Sequence, residues 1–569
     1  MSEATAVEAG GPGSWDDLVA AALLGTDRRP PPGHTADHTA GHPAGHAAGR
    51  AAARDAPTAL LDAAAVATVR RRAGLAPARA ADRPSPAPED PRPPLPEAAA
   101  RRLTTLLADR AGLAAGGRRG AAPDLMELLP QWLATANARG YTALSAALPA
   151  LLDAARARTD LRTAVLAFAG PRALWLARWN PDWRFALRTA GGAGPALTGP
   201  SLTGPEAAAR LWREGLFAER VALLGSLRAA DPAAARDLLV STWATERAED
   251  RLMFLDSLRT GLGPADEPFL EEALSDRSRT VRATAAELLS TLPGSALAAR
   301  MGRRALSCVS LDLARDPATI TVEAPYACDA GMERDGVAAR APAGRGERSW
   351  WLGQVVEAAP LALWSARLGG RTPAEIVALP VTDGWRDDLH AAWCRAAIRR
   401  RDAEWAAALL GAPTAPGVGG PGGPGVVSPA ERSRLLGTMG AEERAAWVAG
   451  FIAGHGLSEA FQLLVVCGVP WAPVLGRSVI DALDIARDAG SYPWSFSGVM
   501  GLAERCLDPA EAVRLDALLA PPDEREDASP GAAGYWAEAF RRLVTTLRLR
   551  AAMAAELGAT TPDPPPTAA

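Results

Sequence analysis

Residues Glu267–Leu292 read EPFLEEALSDRSRTVRATAAELLSTL, and their spacing decides the fold. Leu270 and Leu274 lie four apart, on one face of a short helix. A tight Ser275-Asp276-Arg277-Ser278 turn follows. Val281, Ala285, Leu288, Leu289 and Leu292 then recur at offsets of four, seven, eight and eleven, the spacing of a second amphipathic helix. A two-helix unit of this size cannot bury its own apolar face, so it predicts neighbours stacked beside it around a shared core.

Asp276 and Arg282 sit where a HEAT repeat places its acid and its Arg, with Val281 in the apolar slot beside that Arg. The segment therefore resembles a HEAT repeat. Composition extends the helical reading along the chain. The 569 residues are 48% hydrophobic but only 5% aromatic, and most of the remaining apolar content is Ala and Leu, which favour helix over strand. Helix starts are legible. Thr372-Pro373-Ala374-Glu375, Ser428-Pro429-Ala430-Glu431 and Asp508-Pro509-Ala510-Glu511 each offer a capping side chain, a Pro at the first helical position and a Glu that reaches back. Asp231-Pro232 and Asn180-Pro181-Asp182 follow the same logic without the Glu. The expected fold is all-α, a HEAT-like solenoid of helical hairpins.

Pro/Gly-rich stretches at about 29–57, 83–96, 191–205 and 411–429, and a tail from 558 to 569, read as loops or disordered insertions. Between them the sequence divides into an N-terminal helical region (1–191), a HEAT-like solenoid (204–315) and a C-terminal helical region (349–557). A small irregular insertion near 319–348 interrupts it, with Ile320-Thr321-Val322 as a short strand and Asp335-Gly336 as a turn. Trp350 and Trp351 then resume a helix expected to run through Val355, Val356 and Leu363.

A formal charge of −4 supplies no global basic field for nucleic acid or an anionic membrane. All 61 basic residues are Arg, which a codon-biased genome explains; the consequence is that Lys-dependent chemistry, from the P-loop to Schiff bases, is excluded. Five scattered Cys without a C-x-x-C pair, and no secretory pattern in the first thirty residues, fit a cytoplasmic protein. The longest uncharged run, Ala460–Gly476, is too short and too broken by Pro to span a bilayer.

His34, His38, His42 and His46 recur every four residues, but Gly and Pro punctuate them, and they read as a low-complexity linker rather than a metal site. Asp387, His390 and Cys394 fall on one side of a helix, the spacing of a half-site or a Cys–His pair; a solvated Asp beside a packed His and Cys explains them as well. Gly417, Gly419 and Gly422 match G-x-G-x-x-G without the strand that the motif needs. Arg399, Arg400 and Arg401 end a helix whose terminal carbonyls they suit, and Arg541, Arg542, Arg548 and Arg550 form a candidate anionic docking patch. Trp outnumbers Phe and Tyr, 17 against 9 and 4, and is the natural filler between Ala-rich helices. Trp175, Trp179 and Trp183 cluster at the Asn180-Pro181 turn. With Asp276 and Arg282 they are the candidate interaction residues.

Several strings together resemble one family. They are Trp15-Asp16-Asp17-Leu18 with Leu23-Leu24-Gly25-Thr26-Asp27-Arg28, Trp175-Leu176-Ala177 with Asn180-Pro181-Asp182-Trp183, Trp212-Arg213-Glu214-Gly215 with Glu219-Arg220, Asp231-Pro232-Ala233, and Asp266-Glu267-Pro268-Phe269. The chain is similar to the bacterial (actinobacterial-type) domain of unknown function 5691 family over nearly its whole length. The resemblance carries no catalytic, cofactor or metal residues. It implies a genomic setting beside a SWIM zinc-finger protein, a MoxR-type AAA+ ATPase and a von Willebrand factor A-domain protein. The expected function is a non-enzymatic scaffold or adaptor for protein partners of that kind, without membrane or cofactor. A HEAT-like nucleic-acid-binding or DNA-repair protein, and a hydrolase built on Asp387, His390 and Cys394, are the alternatives.

Overall fold

The capping residues legible in the sequence start the helices that they precede. In the computed structural model, Thr372 Oγ1 accepts from the Glu375 N–H, while the Glu375 carboxylate accepts from the Thr372 N–H at 2.8 Å. Ser428 and Glu431 repeat that exchange. Asp231 accepts from the N–H groups of both Ala233 and Ala234. The structure describes residues 15–32, 55–73, 85–113, 125–187, 205–414, 428–519 and 532–558. It is all-α apart from one two-stranded hairpin among those residues. The histidine repeat and the Gly417–Gly422 motif lie outside them.

The chain forms two compact units, 1–86 and 87–569. In the first, helices Trp15–Leu24 and Ala56–Ala73 pack on each other, with Leu18 and Ala21 buried. The Arg71 guanidinium lies 5.0 Å from the Trp15 ring.

In the second unit, packing runs from neighbour to neighbour through helices Pro205–Glu214, Phe217–Ala230, Pro232–Thr242, Ala248–Ser257, Glu267–Ala273, Arg279–Thr291 and Ala296–Cys308. The decisive hairpin folds as its spacing predicts: Leu270, Leu274, Val281, Ala285, Leu288 and Leu289 are all buried. One continuous core runs from Trp212 to Leu547. A second is built from Leu95 to Ala186 and completed by Met553 and Leu557. The last helix, Ala532–Gly558, serves both, giving Leu543, Val544 and Leu547 to the larger core. Tyr141 Oη donates to the Leu557 carbonyl at 3.1 Å, across 416 residues of sequence. Arg102 pairs with Glu556 at 2.6 Å. A repeat in an open solenoid touches only its neighbours; this helix instead returns to Glu97–Leu113 and Leu125–Ala138.

Three local expectations are corrected. Strand β1 (Val309–Asp312) pairs antiparallel with β2 (Thr319–Val322), with Val309 opposite Val322. Val309 to Asp312 fall in the stretch expected to be helical, but the helix stops at Cys308, where Val309 and Leu311 stand opposite Val322 and the buried Ile320. The helix opened by Trp350 ends at Ala358, because Pro360 cannot extend it, and Leu363 lies on the separate helix Ala362–Arg367. Residues 85–96 are a folded strap rather than a disordered insertion. Arg92 donates to the Ala167 and Phe168 carbonyls and is gripped by Asp90, whose carboxyl those Arg92 bonds hold down to about 2.

Arg228 is the most constrained side chain in the unit. Fully buried, it donates to both Asp266 oxygens at 2.9–3.0 Å and to the carbonyls of Pro232, Leu258, Thr260 and Gly261. Asp266 Oδ2 also accepts the Gly263 N–H. Every donor of the guanidinium is used, so the pair fixes where three helix ends meet. Removing one partner strands the other charge in the core. Asp266→Ala is expected to cost about 3–5 kcal/mol of unfolding free energy, read from a urea denaturation curve. A loss under about 1 kcal/mol would mean that the pair is not held in isolation from water.

Candidate functional site

The tryptophan turn forms where helix Arg162–Trp179 ends and Asn180 Oδ1 accepts the Asp182 N–H. Trp175 and Trp179 face each other at 6.4 Å between ring centroids. Trp183 is tied down by its Nε1–H, which donates to Asp153 at 3.0 Å. Only Trp179, 61% exposed, is presented to solvent; the other two are half-buried. The Asp276–Arg282 ridge belongs to the other core, and the structure does not bring it to the tryptophans. Asp276 accepts the Ser278 N–H at 2.7 Å and pairs at 3.1 Å with Arg251 of helix Ala248–Ser257. Arg282 donates to the Asp276 and Arg277 carbonyls. Asp276 thus ties its hairpin to helix Ala248–Ser257 and Arg282 closes its own turn, which leaves both little for a partner.

The remaining sequence candidates are absorbed by packing. Arg400 donates to the Glu357 and Ala358 carbonyls, so it closes a neighbouring helix rather than its own. Among the C-terminal arginines, Arg542 pairs with Glu504, Arg548 with Asp516, and Arg550 donates to the Glu504 and Leu507 carbonyls. On helix Arg386–Arg400, His390 and Cys394 are buried while Asp387 is exposed. Burial pushes the Cys394 thiol up to about 12 and, with Arg386 adding to the effect, brings the imidazole down to about 4. Neither ring nitrogen of His390 has a hydrogen-bond partner, and the ring lies 5.7 Å from Trp393. The two groups therefore rest as neutral imidazole and thiol, not as an ion pair. Among the described residues no group of three or more His, Cys, Asp or Glu is arranged to hold a metal, and no helix is long and apolar enough to cross a membrane.

Sequence reasoning read Asp335-Gly336 only as a turn and missed its charge. Asp335, 1% exposed, accepts from Arg300 and Arg304, while Glu271 clamps the far side of Arg300. Burial works to raise the Asp335 carboxyl, but the bonds from both arginines prevail and hold it below the usual range. Gly336 is required there: its φ is +90°, and an added Cβ would stand 2.4 Å from the Ala286 methyl. A cavity of about 230 Å³ adjoins this hub. Its polar walls are spent, since Glu357 is paired with Arg395 and Arg399, and Gln354 is bonded to Ala338.

The larger opening is a groove of about 670 Å³ between helices Ala441–Leu464 and Pro473–Asp488. Gly450 and Gly454 let Pro413 and Thr414 lie against the first helix, where a Cβ would meet them at 2.8 and 3.2 Å. Gly456 then adopts φ +83°, ψ 170° and breaks that helix. The second helix continues past the kink, and the groove opens between the two. Ile452, Phe496 and Ala482 form the floor, with Val474 and Ile485 at the two ends, Ile485 being 69% exposed. Asp481 is neutralised by Arg514 at 2.5 Å. Arg477 is exposed and has no carboxylate partner among the described residues. Next to Phe496, Tyr492 stacks on Trp494 at 4.1 Å and Trp494 meets Tyr535 at 5.4 Å, leaving Trp494 55% exposed. The legible signal for this groove was the Gly450-x-x-x-Gly454-x-Gly456 run inside an apolar helix.

The sequence pattern of one family, described as Family of unknown function (DUF5691), matches residues 17–557. No curated protein and no solved structure matches the chain.

The buried neutral imidazole makes a pH prediction. The unfolded chain protonates His390 near 6.5, whereas the folded chain resists until about 4, so stability falls as pH drops through that window. The loss at the acid end is about 3 kcal/mol. His390→Leu is expected to flatten this part of the stability–pH curve relative to wild type; identical slopes would show that the ring titrates freely.

Proposed function

The chain belongs to the Family of unknown function (DUF5691), and from that premise we propose that it is a non-enzymatic helical scaffold that docks protein partners. The observation that carries this reading is the groove at Gly456: a rigid, mostly apolar trench beside exposed aromatic side chains. Isolated apolar residues on a surface need no explanation, but a concave row of them with aromatic neighbours is the composition of a docking site. The proposed partners are a MoxR-type AAA+ ATPase and a von Willebrand factor A-domain protein, which the family resemblance sets beside it, in the cytoplasm.

The chemistry of the rest of the surface favours recognition over catalysis. The buried carboxylates Asp266, Asp276 and Asp335 each hold an arginine and are closed to solvent. The thiol of Cys394 sits in the core. The full chain, tagged and immobilised, is expected to retain the purified ATPase or A-domain protein, and Trp494→Ala with Ile485→Asp is expected to weaken that retention about tenfold or more. Retention of neither protein would overturn the scaffold reading.

A further inference from the structure

The geometry points to an acidic amphipathic α-helix of about three turns as the occupant of the Gly456 groove. This inference rests on the scaffold reading and names the chemistry of its partner.

The first argument is shape. Val474, Arg477, Ser478, Asp481, Ala482 and Ile485 line the groove from a single helix. Their spacing of three and four residues is one continuous stripe, about 16 Å long at 1.5 Å per residue. Such a stripe is the flank that a further helix normally covers; here helix Ala441–Leu464 kinks at Gly456, and the groove lies between its His455–Ser458 stretch and this stripe. A helix laid there restores ridge-into-groove packing.

The second argument concerns the backbone. An extended peptide draws affinity from main-chain hydrogen bonds to a free sheet edge. Both walls here are helical, so away from the break at Gly456 they present side chains and no sheet edge. A bound helix satisfies its own backbone and needs only side-chain contacts, so the trench selects helix over strand.

The third argument is charge. Asp481 is held by Arg514, which cancels the acid on the rim. Arg477, one turn from Val474, has no carboxylate partner among the described residues and stands as a cation on the rim. A partner helix with aliphatic residues at i, i+3, i+4 and i+7 and a carboxylate beside that row meets both the apolar floor and this charge. A basic helix places like charge against Arg477.

The test uses the full chain and two fluorescein-labelled model peptides of about 14 residues. Both carry Leu at the i, i+3, i+4 and i+7 positions; one has Glu at its polar positions and the other Lys. Fluorescence anisotropy is expected to show the Glu peptide binding about tenfold more tightly than the Lys peptide at low salt. Arg477→Glu is expected to abolish or reverse that preference, and Ile485→Asp to weaken both peptides about tenfold. Both substituted side chains are exposed, so thermal melting should confirm unchanged folding. The inference is overturned if neither peptide binds, or if Arg477→Glu leaves the preference intact. Retention of the ATPase or A-domain protein in the presence of that negative result would sink the helix assignment alone; loss of retention would sink the scaffold reading.

Discussion

Short helices end often, and every end leaves backbone carbonyls that need a donor. In this protein that donor is repeatedly a guanidinium. Arg228 reaches Leu258, Thr260 and Gly261; Arg400 reaches Glu357 and Ala358; Arg444 reaches Leu436, Gly437, Met439 and Val466; Arg550 reaches Glu504 and Leu507. Each stitches the end of one helix to another element, and each places a positive charge where the helix dipole is negative. Arginine can do this with five donors in a planar fork, whereas an ammonium group offers three and holds its water more tightly. A chain with 61 arginines and no lysine has, whatever the origin of that bias, a uniform supply of the side chain that its joints require.

Local chemistry was readable in advance. The caps at Thr372, Ser428, Asp231 and Asn180 act within three residues of themselves, so sequence alone contains both partners. The hairpin Glu267–Leu292 was readable because helical period and turn length are local properties. The Asp335 hub was not, since its partners Arg300 and Arg304 lie a whole helix away and Asp-Gly looks like an ordinary turn. Strand β1 was hidden because four residues after a helix carry no period of their own. The closing contacts of Ala532–Gly558 join positions that sequence spacing cannot relate.

The candidate site was legible in a different proportion. Residue type pointed to tryptophan, and the sequence singled out Trp175, Trp179 and Trp183; of these only Trp179 faces water. Asp276 lies in the turn and Arg282 on the helix after it, but the structure spends Asp276 on Arg251 of helix Ala248–Ser257 and Arg282 on the turn's own carbonyls. The groove at Gly456 depends on how a kinked helix stands against a second one. The glycines alone signal the kink, while the wall that faces it is a tertiary fact.

The last helix also orders events in time. Helices between Glu97 and Ala186 are synthesised well before helix Ala532–Gly558, and their core lacks Met553 and Leu557 until that helix has been made. At ordinary elongation speeds that delay is roughly tens of seconds. Throughout it, a nascent apolar surface waits without its lid, so maturation of this region is tied to synthesis of Met553 and Leu557 rather than to emergence of the region itself.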